Sequence, residues 1–136
     1  DGYGNGETVV NIENVDGSEN IDNITGDSGK NTLDGQGGDD TLTGAAGNDT
    51  LIGGDGDDLF VFNDGDGDDS IEDFTVGAGS EDMIDLGGVS ALNNFAAVQA
   101  ATTQVGADAV IDTGAGDSIT LLNVNAFNLS QDDFLF

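Results

Sequence analysis

Histidine and cysteine are both absent from the 136-residue chain, and the only basic residue is Lys30. Without cysteine, no disulfide framework can stiffen the fold. Without histidine, the commonest transition-metal ligand and the commonest general base are missing. Among the metal chemistries, coordination by oxygen atoms alone remains. Acid and base catalysis would depend on carboxylate pairs alone, so we expect a non-catalytic module.

The chain also lacks a long apolar run and has almost no positive charge. Its 28 acidic residues against one basic residue give a net charge of -27. Such a charge makes nucleic acid and anionic membranes poor partners. No run approaches the ~20 apolar residues of a membrane span, and no basic segment marks a secretory signal peptide. We therefore expect no nucleic-acid partner and no membrane span and, because the chain begins at Asp1, a piece of a longer protein.

Aspartate is far more frequent than glutamate among the acidic residues. Of the 28, 23 are Asp and five are Glu, a bias that favours tight turns and short-armed metal ligands over helices. Leu, Ile, Val and Phe together number 35, which is only slightly above the level typical of a disordered, highly charged chain. We therefore expect the fold to depend on bound cations.

Four consecutive nine-residue units fill the segment from Gly26 to Val61: GDSGKNTLD, GQGGDDTLT, GAAGNDTLI and GGDGDDLFV. Each unit opens with glycine and has Asp or Asn at the sixth position and a large apolar residue at the eighth. The pattern predicts a coil in which six residues turn and three form a strand, so that two units make one turn and two parallel sheets face each other. The inward-pointing eighth-position residues are Val15, Ile24, Leu33, Leu42, Leu51 and Phe60.

The repeat loosens after Phe60. DGDGDDSIE, residues 64–72, repeats the pattern two residues late, and GAGSEDMID, residues 77–85, repeats it after a longer insert. We interpret both as closing turns. The predicted domains are a degenerate lead-in strand at residues 1–16, a roll at residues 17–88 and a capping region at residues 89–136.

The capping region is predicted to combine a short helix with a β-hairpin. In SALNNFAAVQAATTQ, a possible Ser90 N-cap precedes an apolar helical face. The alternating stretches VGADAVID and SITLLNV predict the hairpin, and Phe134 and Phe136 can form the inward face of a last strand. The predicted fold is therefore all-β, a right-handed parallel β-roll whose C-terminal cap covers its last strand edge. The predicted helical face consists of Leu92, Phe95, Ala96, Val98 and Ala101.

Glycine-rich loops that end in a carboxylate predict calcium sites. Ca2+ takes about six to eight oxygen ligands, commonly carbonyls mixed with carboxylates. Glycines let successive carbonyls turn towards one point, while the sixth-position side chain supplies charge. Loops two units apart stack, so one ion can lie between each stacked pair. The expected pairs are Asp22 with Asp40, Asn31 with Asp49, Asp40 with Asp58, and Asp49 with Asp69, which gives about four ions and one or two more near the closing turns.

The candidate metal ligands are the sixth-position side chains and the loop residues around them. The surplus aspartates Asp27, Asp39, Asp57 and Asp68 are attributed instead to solubility and turn formation. The candidate ligands are Asp22, Gly26, Asn31, Gly35, Gly37, Gly38, Asp40, Gly44, Ala46, Gly47, Asp49, Gly53, Asp55, Gly56, Asp58, Gly65, Gly67, Asp69 and Asp82.

The repeats resemble the RTX (repeats-in-toxin) family, the calcium-binding C-terminal regions of proteins that bacterial type I systems export. The resemblance is carried by residues 17–61, by DLFVFNDGDGDDSIEDF and by the terminal LSQDDFLF. It implies a secreted or cell-surface protein of a Gram-negative bacterium, and it adds Asp73 as the residue that closes the last calcium site. It also implies that the type I exporter reads the C-terminal residues Asp132, Asp133, Phe134, Leu135 and Phe136.

Some units depart from the family pattern. GSENID lacks two glycines, GAAGND has alanine where the second glycine usually stands, and Asn31 replaces aspartate. We expect weaker calcium sites at the first unit, at Asn31 and at Asp82. The strongest sites are expected at Asp40, Asp49 and Asp58.

Two functional hypotheses follow. In the first, the module stays unfolded in the calcium-poor cytosol, passes through an export channel and folds on calcium outside the cell. In the second, the roll binds an extracellular polysaccharide or another surface as part of an enzyme or adhesin, although the chain has one Tyr and no Trp to provide an aromatic platform. In both, any catalytic part of the parent protein lies upstream.

Overall fold

The computed structural model describes residues 7–8, 13–76 and 82–136 and consists mainly of short strands. Glycine-rich loops reverse the chain every nine residues in the repeats, so the strands there are short. The strands are β1 (Glu7–Thr8), β2 (Asn14–Ser18), β3 (Asn23–Thr25), β4 (Thr32–Gln36), β5 (Thr41–Thr43), β6 (Thr50–Ile52), β7 (Leu59–Asn63), β8 (Asp68–Ile71), β9 (Met83–Gly88), β10 (Thr102–Val105), β11 (Asp108–Gly114), β12 (Asp117–Leu121) and β13 (Phe134–Leu135).

The repeat strands alternate between two sheets. One sheet has the order β1-β3-β5-β7-β9-β13, and the other has the order β10-β11-β12-β8-β6-β4-β2. Pairing within the repeats is parallel, and Leu33 pairs with Leu51, one coil later. Leu51 pairs in turn with Ile71, because the intervening loop holds two extra residues. The predicted parallel β-roll with two units in each coil is therefore confirmed.

Apolar side chains from both sheets fill the space between them. Each three-residue strand turns its middle side chain inward and its two neighbours outward, as the alternation of a strand requires. Leu33, Leu42, Leu51 and Phe60 are fully buried, and Phe60 meets Phe74 edge-on with ring centroids 6.0 Å apart. The predicted inward orientation of the eighth position is confirmed. The other inward residues of this kind are Val15, Ile24, Ile71 and Ile84.

The capping region contains one α-helix, α1 (Phe95–Ala101), whose N-cap differs from the prediction. Asn94 has an extended backbone, and its side chain accepts a hydrogen bond from the N–H of Ala97 at 3.0 Å, which caps the helix. The prediction of Ser90 as N-cap was wrong, because the N–H of Ser90 donates to Asp64 Oδ1 at 3.0 Å and so ties this residue to the roll.

The buried face of α1 is shifted by one residue from the predicted face. Val98 is fully buried and Ala97 is partly buried, whereas Ala96 is exposed. Including Ala96 was wrong, because the helix begins at Phe95 and the buried Leu92 precedes it. Among the described residues, no helix has the length and apolar character needed to cross a membrane.

Three antiparallel strands follow α1. β11 and β12 form the predicted hairpin, but β10 pairs with β11 as well. The prediction that Val105 and Asp108 share one strand was wrong, because the chain turns at Gly106, where φ is 66°. β12 pairs in parallel with β8, so these three strands extend one sheet of the roll.

The last residues return to the other sheet. A 3-10 turn (Gln131–Asp133) precedes β13, in which Phe134 pairs with Ile84. Phe134 is buried, which confirms its predicted inward orientation. Phe136 is 46% exposed, so the same prediction for Phe136 was wrong: β13 ends at Leu135, and the ring of Phe136 stacks instead on Phe134.

Two predicted segments lie partly outside the described residues. These are the lead-in strand at residues 1–16 and the closing unit at residues 77–85, of which positions 1–6, 9–12 and 77–81 are not described. Within the lead-in, β1 pairs with β3, and β2 pairs with β4. The predicted boundary after residue 16 falls inside β2, and the division into three domains stays a prediction.

Candidate metal centre

The sixth-position side chains form two rows along the roll. Because two units make one coil, the loops alternate between the two edges of the roll, and each loop stacks on the loop one coil away. Asp22 is partly buried, and the other members of both rows are buried. The first row consists of Asp22, Asp40, Asp58 and Asp82, and the second row consists of Asn31, Asp49 and Asp69.

A hydrogen-bond ladder connects the first row. The N–H of Asp22 donates to Asp40 Oδ1 at 2.7 Å, and the N–H of Asp40 donates to Asp58 Oδ1 at 2.9 Å. The N–H of Asp58 then donates to Asp82 Oδ1 at 3.2 Å. Each carboxylate therefore binds the backbone of the preceding coil and fixes the distance between stacked loops.

The second row has the same ladder. The N–H of Asn31 donates to Asp49 Oδ1 at 2.7 Å, and the N–H of Asp49 donates to Asp69 Oδ1 at 2.8 Å. The structure thus brings together all four pairs that the sequence predicted. It adds a fifth pair, Asp58 with Asp82, at the closing turns.

Three carboxylate oxygens in these rows are buried without a hydrogen-bond partner. They are the Oδ2 atoms of Asp40, Asp49 and Asp58, whose Oδ1 atoms are the acceptors of the ladder. Burying an ionised carboxylate costs several kcal/mol unless a cation or hydrogen-bond donors compensate it. Each of these three oxygens therefore marks a place where a cation or a proton belongs.

At the ends of the first row, the second oxygen has protein donors instead. Asp22 Oδ2 accepts from the N–H of Ser18 at 2.7 Å and from its hydroxyl at 2.8 Å. Asp82 Oδ2 accepts in the same way from the N–H and the hydroxyl of Thr75, both at 2.8 Å. The sequence analysis missed Ser18 and Thr75. The only signal was a hydroxyl residue before each terminal aspartate.

Asn31 interrupts the second row in two respects. Its side chain is an uncharged amide, and its Oδ1 accepts a hydrogen bond from the N–H of Asp27 at 2.8 Å. Asp27 was assigned to solubility and turn formation, and its carboxylate accepts from the N–H of Gly29 at 2.7 Å, as in a turn. At the sixth position of this loop, the side-chain oxygen of Asn31 is therefore occupied by a protein hydrogen bond. The loops of Asp40, Asp49 and Asp58 have an unpaired carboxylate oxygen at the same position.

First-position glycines lie against the sixth-position side chains of their own units. A Cβ added at Gly35 would meet Asp40 Oδ2 and, at 2.5 Å, the carbonyl oxygen of Gly53 in the next coil. A carboxylate oxygen and a carbonyl oxygen thus face one small space that any larger residue would fill. The same relation places Gly26 against Asn31, Gly44 against Asp49, and Gly53 against Asp58.

Third- and fourth-position residues of the first edge hold neighbouring loops together. The N–H of Gly38 donates to the carbonyl of Asp55 at 2.8 Å, and Gly37 bridges to Asp55. A Cβ at Gly56 would collide with the Gly38 carbonyl. These four candidate ligands therefore lie in stacked loops, with their backbone groups facing one another.

The other edge has a matching contact. Gly47 bridges to Gly67, and its N–H donates to the carbonyl of Asp66 at 2.7 Å. Ala46 precedes Gly47 in the same loop and is partly buried. Gly65 does not join the stack, since a Cβ added there would meet nothing within 4 Å. Gly65 lies in the loop that has two extra residues, which carries it away from the row.

The second position of three units has a left-handed backbone. The φ angles are 74° at Gln36, 68° at Ala45 and 100° at Gly54. Only glycine adopts this region without steric cost. Two non-glycine residues in this conformation show that the loop geometry dominates over local preference. The motif alone could not reveal this, because a glutamine and an alanine occupy these positions.

Asp73 binds the backbone at the end of the first edge. Its Oδ1 accepts from the N–H of Gly53 at 3.1 Å, and its Oδ2 accepts from the N–H of Gly54 at 2.8 Å. The negative charge of Asp73 also contributes to raising the pKa of Asp58. Asp73 therefore lies beside the last stacked loop, where the family resemblance implies a closing ligand.

Burial changes the acidity of the row carboxylates. It raises the pKa of Asp58 to about 6, and the neighbouring charges of Asp82 and Asp40 act in the same direction. Burial raises the pKa of Asp69 to about 7, and the charge of Asp49 adds to the increase. In both cases a backbone hydrogen bond opposes the shift without cancelling it. Without a cation, these groups hold protons more tightly than an exposed aspartate does.

The oxygen ligands that the roll can provide fit calcium. Among the described residues, no three His, Cys, Asp or Glu side chains form a group that could hold a metal ion. Carboxylates can therefore supply only part of a coordination shell, and backbone carbonyls of the stacked loops must supply the rest. A mixture of carboxylates and carbonyls, without imidazole or thiolate, is the ligand type of Ca2+.

Comparisons with known proteins agree with this assignment. The family model described as the RTX calcium-binding nonapeptide repeat (4 copies) matches residues 16–51 and 35–67. These residues include most members of both rows. No curated protein matches the sequence of the chain.

Two solved structures align with the chain. The extracellular lipase LipA from Serratia marcescens superposes with a TM-score of 0.59 at 23% identity, over 91% of this chain and 21% of the lipase chain. The AlgE6R3 subunit of the Azotobacter vinelandii mannuronan C5-epimerase aligns with a TM-score of 0.38 at 27% identity, over 100% of this chain and 86% of that chain. The match to the lipase supports the fold. The chain spans only about a fifth of the length of the lipase.

Proposed function

We propose that the chain is a calcium-dependent folding module of a larger exported protein, because residues 16–67 match the model of the RTX calcium-binding nonapeptide repeat. The observation that carries this proposal is the set of three buried, unpaired Oδ2 atoms at Asp40, Asp49 and Asp58. A roll that buries these oxygens is unfavourable at neutral pH unless cations bind them. Calcium binding then supplies folding free energy.

The charge of the chain favours the same conclusion. Two carboxylates about 4 Å apart repel by roughly 4 kcal/mol at an effective dielectric of 20, and both rows stack several carboxylates. We infer that the ion-free chain is expanded at neutral pH. Calcium at a hundred times the dissociation constant stabilises a folded state by about 2.7 kcal/mol per site. Several such sites together reach the stability of a small domain, roughly 5–15 kcal/mol.

The proposed ligands differ in strength along the rows. Asp40, Asp49 and Asp58 each contribute an unpaired oxygen, and at Asp40 the carbonyl oxygen of Gly53 faces the same small space. Asp22 and Asp82 have protein donors on their second oxygens, so calcium must compete with those hydrogen bonds. We propose about four calcium ions, with the strongest binding around the three unpaired oxygens. Asp73 is the proposed closing ligand of the first edge.

A calcium titration of the ion-free chain tests the proposal. The chain is stripped with EDTA, and its far-UV circular dichroism is followed while calcium is added at constant ionic strength. We expect a cooperative transition from coil to β-structure in the range of about 0.1 to 1 mM, as for extracellular calcium modules. Isothermal titration calorimetry on the same sample counts the ions.

Magnesium is the matched control. It requires a smaller, more rigid octahedral site and gives up water reluctantly, so at the same concentrations it is expected to leave the chain largely unfolded. A spectrum that is rich in β-structure before any ion is added, and that calcium does not change, would contradict calcium-dependent folding.

Export through a type I system is the second part of the proposal. A chain that folds only on calcium stays threadable in a cytosol with little calcium and becomes trapped once it folds outside. The absence of cysteine fits this route, since no disulfide has to form. We further propose that the exporter reads the terminal residues 132–136 before the cap folds. Asp133 and Phe134 are buried in the folded cap and are accessible only in the unfolded chain.

Substitutions within residues 132–136 can separate a role in the export signal from a role in the fold. Leu135 and Phe136 are 40% and 46% exposed, so replacing both by serine is expected to lower secretion of a carrier fusion at least about tenfold while calcium-dependent folding is retained. Phe127→Ser, at a 92% exposed residue outside the tail, is the control. Normal secretion of the Leu135 and Phe136 double variant would exclude these two side chains from the export signal.

We place any catalytic activity in the upstream part of the parent, and we propose an extracellular or cell-surface location in a Gram-negative bacterium. Binding of a polysaccharide stays a prediction, which retention of the calcium-loaded chain on an alginate column would support.

A further inference from the structure

An uncharged surface lies at the end of the cap, in contrast to the rest of the chain. Residues 86–107 and 118–131 contain no charged residue, whereas the whole chain has a net charge of -27. These two stretches contribute α1, β10 and the 3-10 turn Ala126–Asn128. We call the surface formed by these three elements the cap surface. It contains Phe127, which is 92% exposed, and Val105, which is 56% exposed.

A cavity of about 280 Å³ opens on the cap surface. Its apolar walls include Phe95, Val98 and Leu129, and Phe127 stands at the same opening. The cavity is smaller than most pockets that hold small-molecule ligands, which measure roughly 300–1,000 Å³. Its size and apolar walls suit one apolar side chain of a partner.

Of the three polar side chains that line the cavity, Gln104 and Thr102 are already hydrogen-bonded, and Gln99 is exposed to solvent. The amide nitrogen of Gln104 donates to the carbonyl of Asp108 at 2.9 Å, and its Oε1 accepts from the N–H of Ala126 at 2.7 Å. The hydroxyl of Thr102 donates to the carbonyl of Val98 at 2.7 Å. A polar ligand would find few free partners among these groups. The hydrogen bond from Ala126 to Gln104 also joins β10 to the 3-10 turn.

β10 is an open edge of its sheet. It pairs with β11 on one side, and none of the described strands lies on its other side. Natural edge strands are usually protected by charges, proline or bulges, but the sequence TTQV of β10 has neither charge nor proline. This edge can accept another strand through its backbone groups.

We propose that the cap surface binds a second copy of this chain, with the two β10 strands antiparallel about a two-fold axis. Identical strands paired in this way are self-complementary. Because Phe127 and the cavity lie on one surface, a two-fold axis can bring the Phe127 ring of each copy to the cavity of the other. Because the protruding Phe127 side chain and the cavity belong to the same surface, two copies use up each other's surface. This favours a closed dimer over an open chain of copies.

The distribution of charge supports a second copy as the partner. Two chains that each carry 27 net negative charges repel wherever their acidic loops approach. The first strand of the roll, β8, lies three strand spacings from β10, or about 14 Å at roughly 4.8 Å per strand. This exceeds the screening length of about 8 Å at physiological ionic strength. The strands between β10 and β8 carry the carboxylates Asp108, Asp112 and Asp117. Asp108 and Asp112 accept hydrogen bonds from the N–H groups of Asn123 and Gly114.

Sedimentation velocity of the 136-residue chain in calcium and 0.15 M NaCl tests the proposal. The chain is expected to shift from the monomer mass of 13.7 kDa to twice this mass as its concentration rises. Because four-residue strands and one aromatic pair give a small interface, we expect a dissociation constant of about 10–500 μM. A chain that stays monomeric up to about 1 mM would overturn the proposal.

Two substitutions and a matched control locate the contact. Phe127→Ser removes the side chain at the cavity, and Val105→Asp places a negative charge at the open edge. Each is expected to weaken dimerisation at least about tenfold. Ile21→Asp is the control, since Ile21 is 66% exposed and belongs to the first unit at the other end of the roll. Dimers that survive both cap substitutions, or that Ile21→Asp abolishes, would contradict this interface.

Dimerisation requires the folded chain, which the proposed function attributes to calcium. Far-UV circular dichroism of every variant in calcium therefore accompanies the sedimentation measurement. A variant that is folded and monomeric reports on the interface. If the unsubstituted chain failed to fold in calcium, the proposed function would fail first, and dimerisation would be measured on the ion-free chain at acidic pH, where the pair is expected to form if the chain is folded there.

Discussion

Replacing Asp58 by alanine is expected to raise the calcium concentration at the midpoint of folding by about ten- to a hundredfold. Asp58 lies in the middle of the first row, where its Oδ1 accepts from the buried N–H of Asp40 and its Oδ2 is one of the three unpaired oxygens. The substitution leaves that N–H without an acceptor, at a cost of about 1–3 kcal/mol. It also removes a proposed calcium ligand. Circular dichroism at increasing calcium measures the midpoint.

The neighbouring Asp57 provides the control for loss of charge. Asp57→Ala removes the same negative charge one residue away, but Asp57 is exposed and lies outside the rows. Its midpoint is expected to change less than about twofold, in the direction of a decrease, because carboxylate repulsion falls. If Asp57→Ala and Asp58→Ala shifted the midpoint equally, the effect would be one of net charge, and the ladder would have no special role.

Acidification is expected to stabilise the folded state of the ion-free chain and to lower the calcium concentration at the midpoint of folding. Folding raises the pKa of Asp58 to about 6 and that of Asp69 to about 7, from 3.8 in the unfolded chain, mainly through burial. A folded state that binds protons more tightly than the unfolded state gains stability as pH falls. For these two groups the gain develops between about pH 7 and pH 4. It is fully present below pH 4 and lost as pH rises through 6 to 7.

The ion-free chain should therefore acquire β-structure as the pH is lowered from 7.5 to about 4.5. Protons and calcium both stabilise the folded state and bind the unfolded chain weakly above pH 5, so the calcium midpoint of folding should fall as the pH is lowered from 7.5 to 5.5. Circular dichroism with and without EDTA measures both effects. Asp69→Asn is the diagnostic variant, because it removes the group with the higher of the two pKa values. It should weaken the pH dependence of folding above pH 6. A pH-independent midpoint would contradict the role of these carboxylates.

The periodicity predicted the roll because one physical requirement repeats in every unit. An inward residue at the eighth position and a carboxylate at the sixth recur at a fixed spacing, so Leu33 had to align with Leu51 and Asp40 with Asp58. The same regularity predicted which carboxylates would meet. Their role as calcium ligands stays a prediction, which the unpaired oxygens now support.

The parts without a repeat were predicted less well, since each depends on a single contact. Ser90 and Asn94 are both good N-caps by type, and a tertiary hydrogen bond from Ser90 to Asp64 decided between them. The donors to the terminal aspartates could not be predicted for the same reason. Ser18 and Thr75 acquire their role only when the chain folds back, and the two residues stand at different spacings from their partners.

The ladder makes the roll directional. Every row hydrogen bond runs from the backbone of one coil to a side chain that follows it in sequence, as from Asp40 to Asp58 and from Asp58 to Asp82. Removing coils from the amino end therefore leaves each remaining amide with its acceptor. Removing Asp82 leaves the N–H of Asp58 without an acceptor. Loss of the last coil therefore destabilises the coil before it, and the stability of the roll depends more on its carboxyl-terminal coil than on its amino-terminal coil.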